Sequence, residues 1–146
     1  MTEGEALAGR CLCGAVTFTA RPREWHASVC HCRMCQRWNG GMPVSVLADD
    51  LVFGGDAPAV YRSSPWGERI FCRTCGSSLA WRMQDGSMTA VAAAAFDGPL
   101  DLPVTEEIFI DEKPAGYALA GDHRRMTGEE VMALFAATPP AEPRVD

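Results

Sequence analysis

The sequence predicts a mostly β protein with a short C-terminal helix, and three observations support this. Short segments rich in β-branched and aromatic residues recur along the chain, separated by glycine, proline and aspartate. Only one segment, near the C-terminus, has a plainly helical pattern. Seven cysteines stand in three tight groups, and 146 residues are enough for one domain with a core of its own.

The expected strands begin near residue 10, and turns separate them. In chain order they cover residues 10–20, 41–50, 50–53, 59–64, 68–83 (strand, cysteine knuckle, strand) and 106–111. The acidic pair Asp49 and Asp50 is expected to form a turn between the second and third of these strands. Residues 87–96 are compatible with helix or strand, and the turns that flank them favour strand.

The helix is expected over residues 127–137, where Thr127 and Glu130 have the spacing of a capping box. Residues 1–8 are expected to form a flexible N-terminus, residues 9–137 a single domain, and residues 138–146 a disordered, proline-rich tail.

Composition argues against several partners. The formal net charge is −6 and no basic stripe occurs, so we expect no nucleic-acid partner. No apolar run is long enough to span a bilayer, and the polar, acidic start does not resemble a signal peptide. We therefore expect a cytoplasmic protein with no membrane partner. In that reducing compartment, an odd number of cysteines favours metal ligands or catalytic groups over disulfides.

Spacing divides the seven cysteines into a group of four and a group of three. Cys-x-Cys in an extended segment directs both sulfurs to one face, and Cys-x-x-Cys folds two sulfurs together in a knuckle. The first and last pairs each end in Cys-Gly, as tight knuckles do, whereas the central trio lacks that glycine. The predicted closed, structural site therefore contains Cys11, Cys13, Cys72 and Cys75.

Cys30, Cys32 and Cys35 then remain for a second ion. Three protein ligands and an open vertex are typical of a catalytic zinc. Such a site stays electron-rich, so it suits binding and activating a thiol better than splitting water. The chemistry that the trio indicates is sulfur chemistry.

Two alternatives stay open on spacing alone. His26 or His31 could close the second site as a Cys₃His centre, although extended geometry directs His31 away from its cysteine neighbours. Cys72 and Cys75 could form a redox pair, but no βαβ pattern surrounds them.

Other polar and aromatic side chains carry weaker signals. His123 is expected at the surface, as are most of the arginines that flank the cysteines, and the tryptophans are expected in the core or at its rim. Candidates for a general acid or base, by sequence proximity only, are Glu24, Asp49 and Glu68. The arginines are Arg33, Arg37, Arg69 and Arg73, and the tryptophans are Trp38, Trp66 and Trp81.

The segments GRCLCGAVTF, CHCRMCQRWNGG and RIFCRTCGSSL occur in this order. Together they resemble the glutathione-dependent formaldehyde-activating enzyme family, which also includes centromere protein V. The likeness runs from about Gly9 to about Tyr117. The sequence departs from that pattern at Glu107, where members commonly carry histidine, and at Ala115-Gly116, where they carry tryptophan.

The resemblance implies a β-tent fold of small antiparallel sheets with two Zn²⁺ ions per chain. It assigns a structural zinc to the group of four cysteines and a catalytic zinc to the group of three. The implied activity is that of a carbon–sulfur lyase of the S-(hydroxymethyl)glutathione synthase type. Its partners would be a small thiol, glutathione or similar, and formaldehyde or a related aldehyde. The alternative is a non-catalytic zinc scaffold, as centromere protein V is thought to be.

Overall fold

The computed structural model describes residues 4–98 and 100–137, and within them it is mostly β. The strands are β1 (Leu7–Arg10), β2 (Thr17–Pro22), β3 (Ala27–Cys30), β4 (Val44–Gly54), β5 (Pro58–Tyr61), β6 (Gly67–Cys72), β7 (Ser78–Met83), β8 (Thr89–Ala92), β9 (Val104–Ile108) and β10 (Arg124–Met126). The α-helices are α1 (Arg33–Asn39) and α2 (Gly128–Ala137), and two 3₁₀ turns cover Ala93–Ala95 and Ile110–Glu112. None of the helices described is long and apolar enough to cross a membrane.

The described residues fall into two compact units. Unit 1 contains residues 4–25 and 45–101 (without residue 99), and unit 2 contains residues 26–44 and 102–137. The predicted disordered tail, residues 138–146, lies outside the described residues, as do residues 1–3 of the predicted flexible N-terminus. Strand β1 begins at Leu7, so residues 7 and 8 belong to the sheet rather than to a flexible end. The single domain stays a prediction.

Unit 1 is an antiparallel sheet in the order β1-β2-β4-β8-β7-β6-β5. Its buried side chains include Phe18, whose ring packs edge-to-face on Phe96 with 5.3 Å between centroids. Gly9 leaves room for this packing, because a Cβ at that position would lie 2.2 Å from the Phe18 ring.

Three predictions for unit 1 need correction. The segment 10–20 is two strands, β1 and β2, joined by a turn that holds Cys11 and Cys13. The acidic pair is not a turn between strands, because β4 runs through both residues. Asp50 adopts a left-handed φ of 56°, a conformation that aspartate tolerates, and strand pairing continues on either side. Residues 87–96 begin as β8, as favoured, but end in a 3₁₀ turn.

Unit 2 contains a parallel sheet in the order β3-β9-β10. The antiparallel sheets that the resemblance implies are therefore found in unit 1, and the sheet of unit 2 departs from that expectation. Strands β3 and β9 are far apart in sequence, and a long connection permits the parallel direction.

The two α-helices differ in how well the sequence predicts them. Helix α2 confirms the C-terminal helix and its capping box, since Glu130 N–H donates to Thr127 Oγ1 at 3.2 Å and Thr127 N–H donates to Glu130 Oε1 at 3.3 Å. Helix α1 was not predicted. Cys32 caps its start, and Gly40 ends it with a left-handed φ of 71°.

Candidate metal centres

Four thiols of unit 1 meet at one point, as the sequence predicts. The sulfurs of Cys11, Cys13, Cys72 and Cys75 all lie within 4.8 Å of one another. The Cys11–Cys13 separation is 3.6 Å and the Cys13–Cys72 separation is 3.8 Å. A tetrahedral ion with zinc–sulfur bonds of about 2.3 Å requires sulfurs about 3.8 Å apart. The donor set therefore fits a tetrahedral metal ion.

Two glycine turns build this site. Gly14 and Gly76 each adopt a φ of +81°, which closes the turn after each cysteine pair. The amide of Gly14 donates to the carbonyl of Cys11 at 3.2 Å, and the amide of Gly76 donates to that of Cys72 at 2.9 Å. The Cys-Gly signature therefore reports a real backbone requirement.

Backbone amides also point at the sulfurs. Val16 N–H donates to Cys11 Sγ at 3.3 Å, and Cys75 N–H donates to Cys72 Sγ at 3.4 Å. Hydrogen bonds of this kind favour the thiolate, which is the form that binds metal.

The thiols of this group differ in pKa when no metal is bound. The hydroxyl of Ser77, the largest influence, lowers the pKa of Cys75 to about 5. An amide hydrogen bond from Ala15 lowers the pKa of Cys13, but desolvation and the neighbouring thiols outweigh it and raise that pKa to about 11. Crowded thiolates repel one another, and a bound cation would relieve that repulsion.

The other three thiols meet in unit 2. Cys30 ends β3, Cys32 caps α1, and Cys35 lies in the first turn of that helix. Their sulfurs lie within 4.8 Å of one another, and Cys35 N–H donates to Cys32 Sγ at 3.3 Å. Hydrogen bonds with the other two thiols, then desolvation, raise the pKa of Cys30. This set fits three vertices of a metal ion.

Neither candidate histidine joins the trio. His26 pairs with the hydroxyl of Thr105 at 2.8 Å, and His31 is fully buried on Glu107. Across residues 4–98 and 100–137, the trio gains no histidine, aspartate or glutamate as a further ligand. The Cys₃His alternative therefore has no support among the described residues. All seven cysteines are free thiols rather than disulfides.

Unit 2 also contains a polar cluster that the sequence did not predict, built around one buried carboxylate. We call it the Glu107 cluster, and its members are Glu107, His31, His123 and Arg125. His123 was expected at the surface, but its side chain is only 5% exposed and bonds to Glu107 at 2.6 Å. That expectation was wrong because the partner is 16 residues away, in a strand that pairs in parallel. The departure of Glu107 from the family pattern was the one signal in the sequence that could have revealed the cluster.

The carboxylates proposed from sequence proximity all belong to unit 1. Asp49 pairs with Arg23 at 2.7 Å, and Glu68 accepts from Arg82 at 2.6 Å. Glu24 lies just before the boundary between the units. The trio lies in unit 2, whose buried carboxylate is Glu107.

Two of the flanking arginines have structural contacts. Arg69 is buried, against expectation, and its Nε donates to Ser63 Oγ at 3.2 Å. Arg73 donates to the carbonyl of Asp56 at 3.2 Å.

Fold and sites together define a class: a mainly β protein with a four-thiol and a three-thiol group, each able to hold a soft metal ion. Comparison with known proteins narrows the class. The chain belongs to the glutathione-dependent formaldehyde-activating enzyme family, whose sequence model matches residues 6–112.

Relatives agree with this membership. An uncharacterized lyase of Schizosaccharomyces pombe is 32% identical over 127 residues, covering 85% of this chain and 93% of the relative. A Halomonas elongata protein named "Putative glutathione-dependent formaldehyde-activating enzyme" is 32% identical over 123 residues, covering 74% of this chain and 77% of the relative. A crystal structure of a Rhodobacter sphaeroides protein is 26% identical, with a TM-score of 0.56, and matches 68% of this chain and 100% of its own.

Proposed function

We propose that this chain is a zinc-dependent carbon–sulfur lyase-type enzyme that joins a small thiol, such as glutathione, to formaldehyde or a related aldehyde. The observation that carries the proposal is the trio: three thiols are gathered at one point, and no described histidine or carboxylate completes the set. Family membership and the names of two relatives support the reaction class. We also propose that the protein acts in the cytoplasm.

The two groups of thiols would have different roles. Cys11, Cys13, Cys72 and Cys75 would hold a structural zinc, because four sulfurs complete a tetrahedron. Cys30, Cys32 and Cys35 would hold the catalytic zinc, with one vertex left for substrate. When bound, that zinc would lower the pKa of an incoming thiol and so supply a nucleophile at neutral pH.

The reaction needs little else from the protein. The thiol sulfur forms a bond to the carbonyl carbon, the carbon–oxygen π bond breaks, and the thiol proton ends on the carbonyl oxygen. The trio would contribute by holding the sulfur in one place, so that orientation supplies much of the rate gain.

The proposal is tested by the rate of adduct formation, because thiols also add to formaldehyde without an enzyme. ¹³C-labelled formaldehyde and glutathione, at equilibrium, are followed by exchange NMR with and without the zinc-loaded protein. We expect the protein to accelerate exchange at least about tenfold, equivalent to about 1.4 kcal/mol of barrier.

Cys32→Ser is the matched control, because it removes one trio thiol and leaves the four-thiol group complete. With this variant, formaldehyde and glutathione should exchange with their adduct at the spontaneous rate. The contrary result would be a wild-type protein that carries metal at both groups and still does not exceed the spontaneous rate, either with glutathione or with other small thiols. The function would then be that of a non-catalytic zinc scaffold.

A further inference from the structure

The Glu107 cluster surrounds one carboxylate with three donors. Glu107 Oε1 lies 2.7 Å from His31 Nε2. Its other oxygen, Oε2, lies 2.6 Å from His123 Nε2 and 3.0 Å from Arg125 Nε. The carboxylate is 1% exposed and the His31 ring is 0% exposed, so both rely on each other rather than on water.

The surroundings keep this buried carboxylate charged. Burial is the largest single influence and raises the pKa of Glu107, but the hydrogen bonds from His31 and His123 and the charge of Arg125 together hold that pKa below its ordinary value. A buried charge that loses its partners is costly, so the carboxylate and its donors fix one another in place.

One of these donors, Arg125, also forms hydrogen bonds to the loop before β10. Arg125 Nη2 donates to the carbonyls of Gly121 at 3.1 Å and Leu119 at 3.4 Å. Three members of the cluster, Glu107, His123 and Arg125, thus lie on strands β9 and β10 and in the loop before β10, none of which contains a cysteine.

His31 connects this cluster to the trio, because it stands between Cys30 and Cys32. Three groups hold it: its backbone N–H donates to Ile108 O at 3.0 Å, its carbonyl accepts from Gln36 Nε2 at 2.5 Å, and its ring bonds to Glu107. Its second ring nitrogen, Nδ1, is buried and has no hydrogen-bond partner within the described chain. Among the residues that the structure describes, Glu107 therefore makes the only hydrogen bond to the ring.

Burial alternates along residues 30–32, as it does in extended backbone. The His31 ring points into the buried cluster, and the half-buried side chains of Cys30 and Cys32 lie on either side of it. The His31 ring is fully buried, so a ring that lost its place in the cluster would leave a void, and the backbone of residues 30–32, which carries both thiols, would have to shift to close it.

We propose that Glu107 is a positioning residue for the three-thiol metal centre: by holding the His31 ring, it keeps Cys30 and Cys32 in the metal-binding arrangement before the ion arrives. The inference rests on metal binding by the trio within the proposed function, not on the reaction performed there. Groups that hydrogen-bond directly to metal ligands commonly change metal affinity by about 10–100-fold, and Glu107 acts one residue further away, through His31, so we expect the lower end of that range.

The test compares Glu107→Gln with Glu106→Gln. The first keeps the shape of the side chain but removes the charge that accepts from three donors. The second makes the same change one residue earlier on β9, where Glu106 accepts from Ser28 Oγ at 2.9 Å. Zinc affinity is measured at each thiol group by competition with a chromophoric chelator, and cobalt replaces zinc for absorption spectra.

For Glu107→Gln we expect zinc at the trio to bind at least about tenfold more weakly, with altered cobalt bands, and zinc at the four-thiol group to bind as in wild type. Glu106→Gln should match wild type at both. A change of less than about twofold at the trio, or an equal loss at both groups, would overturn the proposal.

His123→Leu provides a second test if Glu107→Gln does not fold. It removes one donor and leaves the carboxylate in place, so it should weaken zinc at the trio selectively but by a smaller factor. Unchanged affinity at the trio in this variant would then overturn the proposal. Glutathione binding enters none of these measurements, so the lyase proposal can fail while the positioning role stands.

Discussion

Cys72→Ser is expected to destabilise unit 1 severely. Cys72 is fully buried at the end of β6 and is one of four thiols that link two turns far apart in sequence. A metal ion there adds the free energy of binding to the free energy of folding. Free zinc at about 1,000 times its dissociation constant contributes about 4 kcal/mol, a large part of the about 5–15 kcal/mol that stabilises a typical domain.

Urea denaturation of the zinc-loaded proteins, followed by circular dichroism, measures this effect. We expect Cys72→Ser to lose about 4 kcal/mol or more of unfolding free energy. A strong chelator should reproduce most of that loss in wild type, which separates the metal from the packing of the side chain. If wild type unfolded at the same urea concentration with and without chelator, the four thiols would not hold a structural ion.

Cys35→Ser is expected to have the opposite profile, with a large effect on function and a small one on stability. Cys35 is half-buried at the start of a short helix, and serine keeps its size. With two thiols left, the trio should no longer retain zinc, so the metal content should fall from about two to about one per chain. Thiol binding should disappear with that ion.

Metal analysis after gel filtration and calorimetric titration with glutathione measure the two effects. Met34→Ser is the matched control, because Met34 is an exposed neighbour on the same helix that offers no thiolate. It should retain both metals and bind glutathione. If Cys35→Ser bound glutathione as tightly as wild type, the thiol site would lie elsewhere.

The division of the cysteines could be predicted because it depends on short-range chemistry. Two sulfurs separated by one or two residues can face one ion only in a few backbone conformations, and Gly14 and Gly76 report those conformations in the sequence. The cap of α2 is equally local, since Thr127 and Glu130 need only each other.

The features that the sequence does not predict depend on partners that are distant in the chain or of an unusual residue type. Helix α1 begins at a cysteine whose sulfur accepts from the Cys35 amide, so none of the common capping residues marks its start. His123 and Glu107 come together only because β9 and β10 pair in parallel, a direction that no local pattern specifies. Asp49 and Asp50 resemble a turn, yet both form ion pairs with distant arginines. Asp50 pairs with Arg21 of β2, and Asp49 pairs with Arg23, which directly follows that strand.

We propose that one thiol group is closed and structural while the other is open and binds a thiol. The most direct measurement is zinc content per chain under increasing chelator, with glutathione titrated at each step. We expect about two zinc ions, one of which leaves under mild chelation and abolishes glutathione binding while the fold persists. The contradicting result would be two zinc ions that leave at the same chelator concentration, with no glutathione binding either before or after they leave.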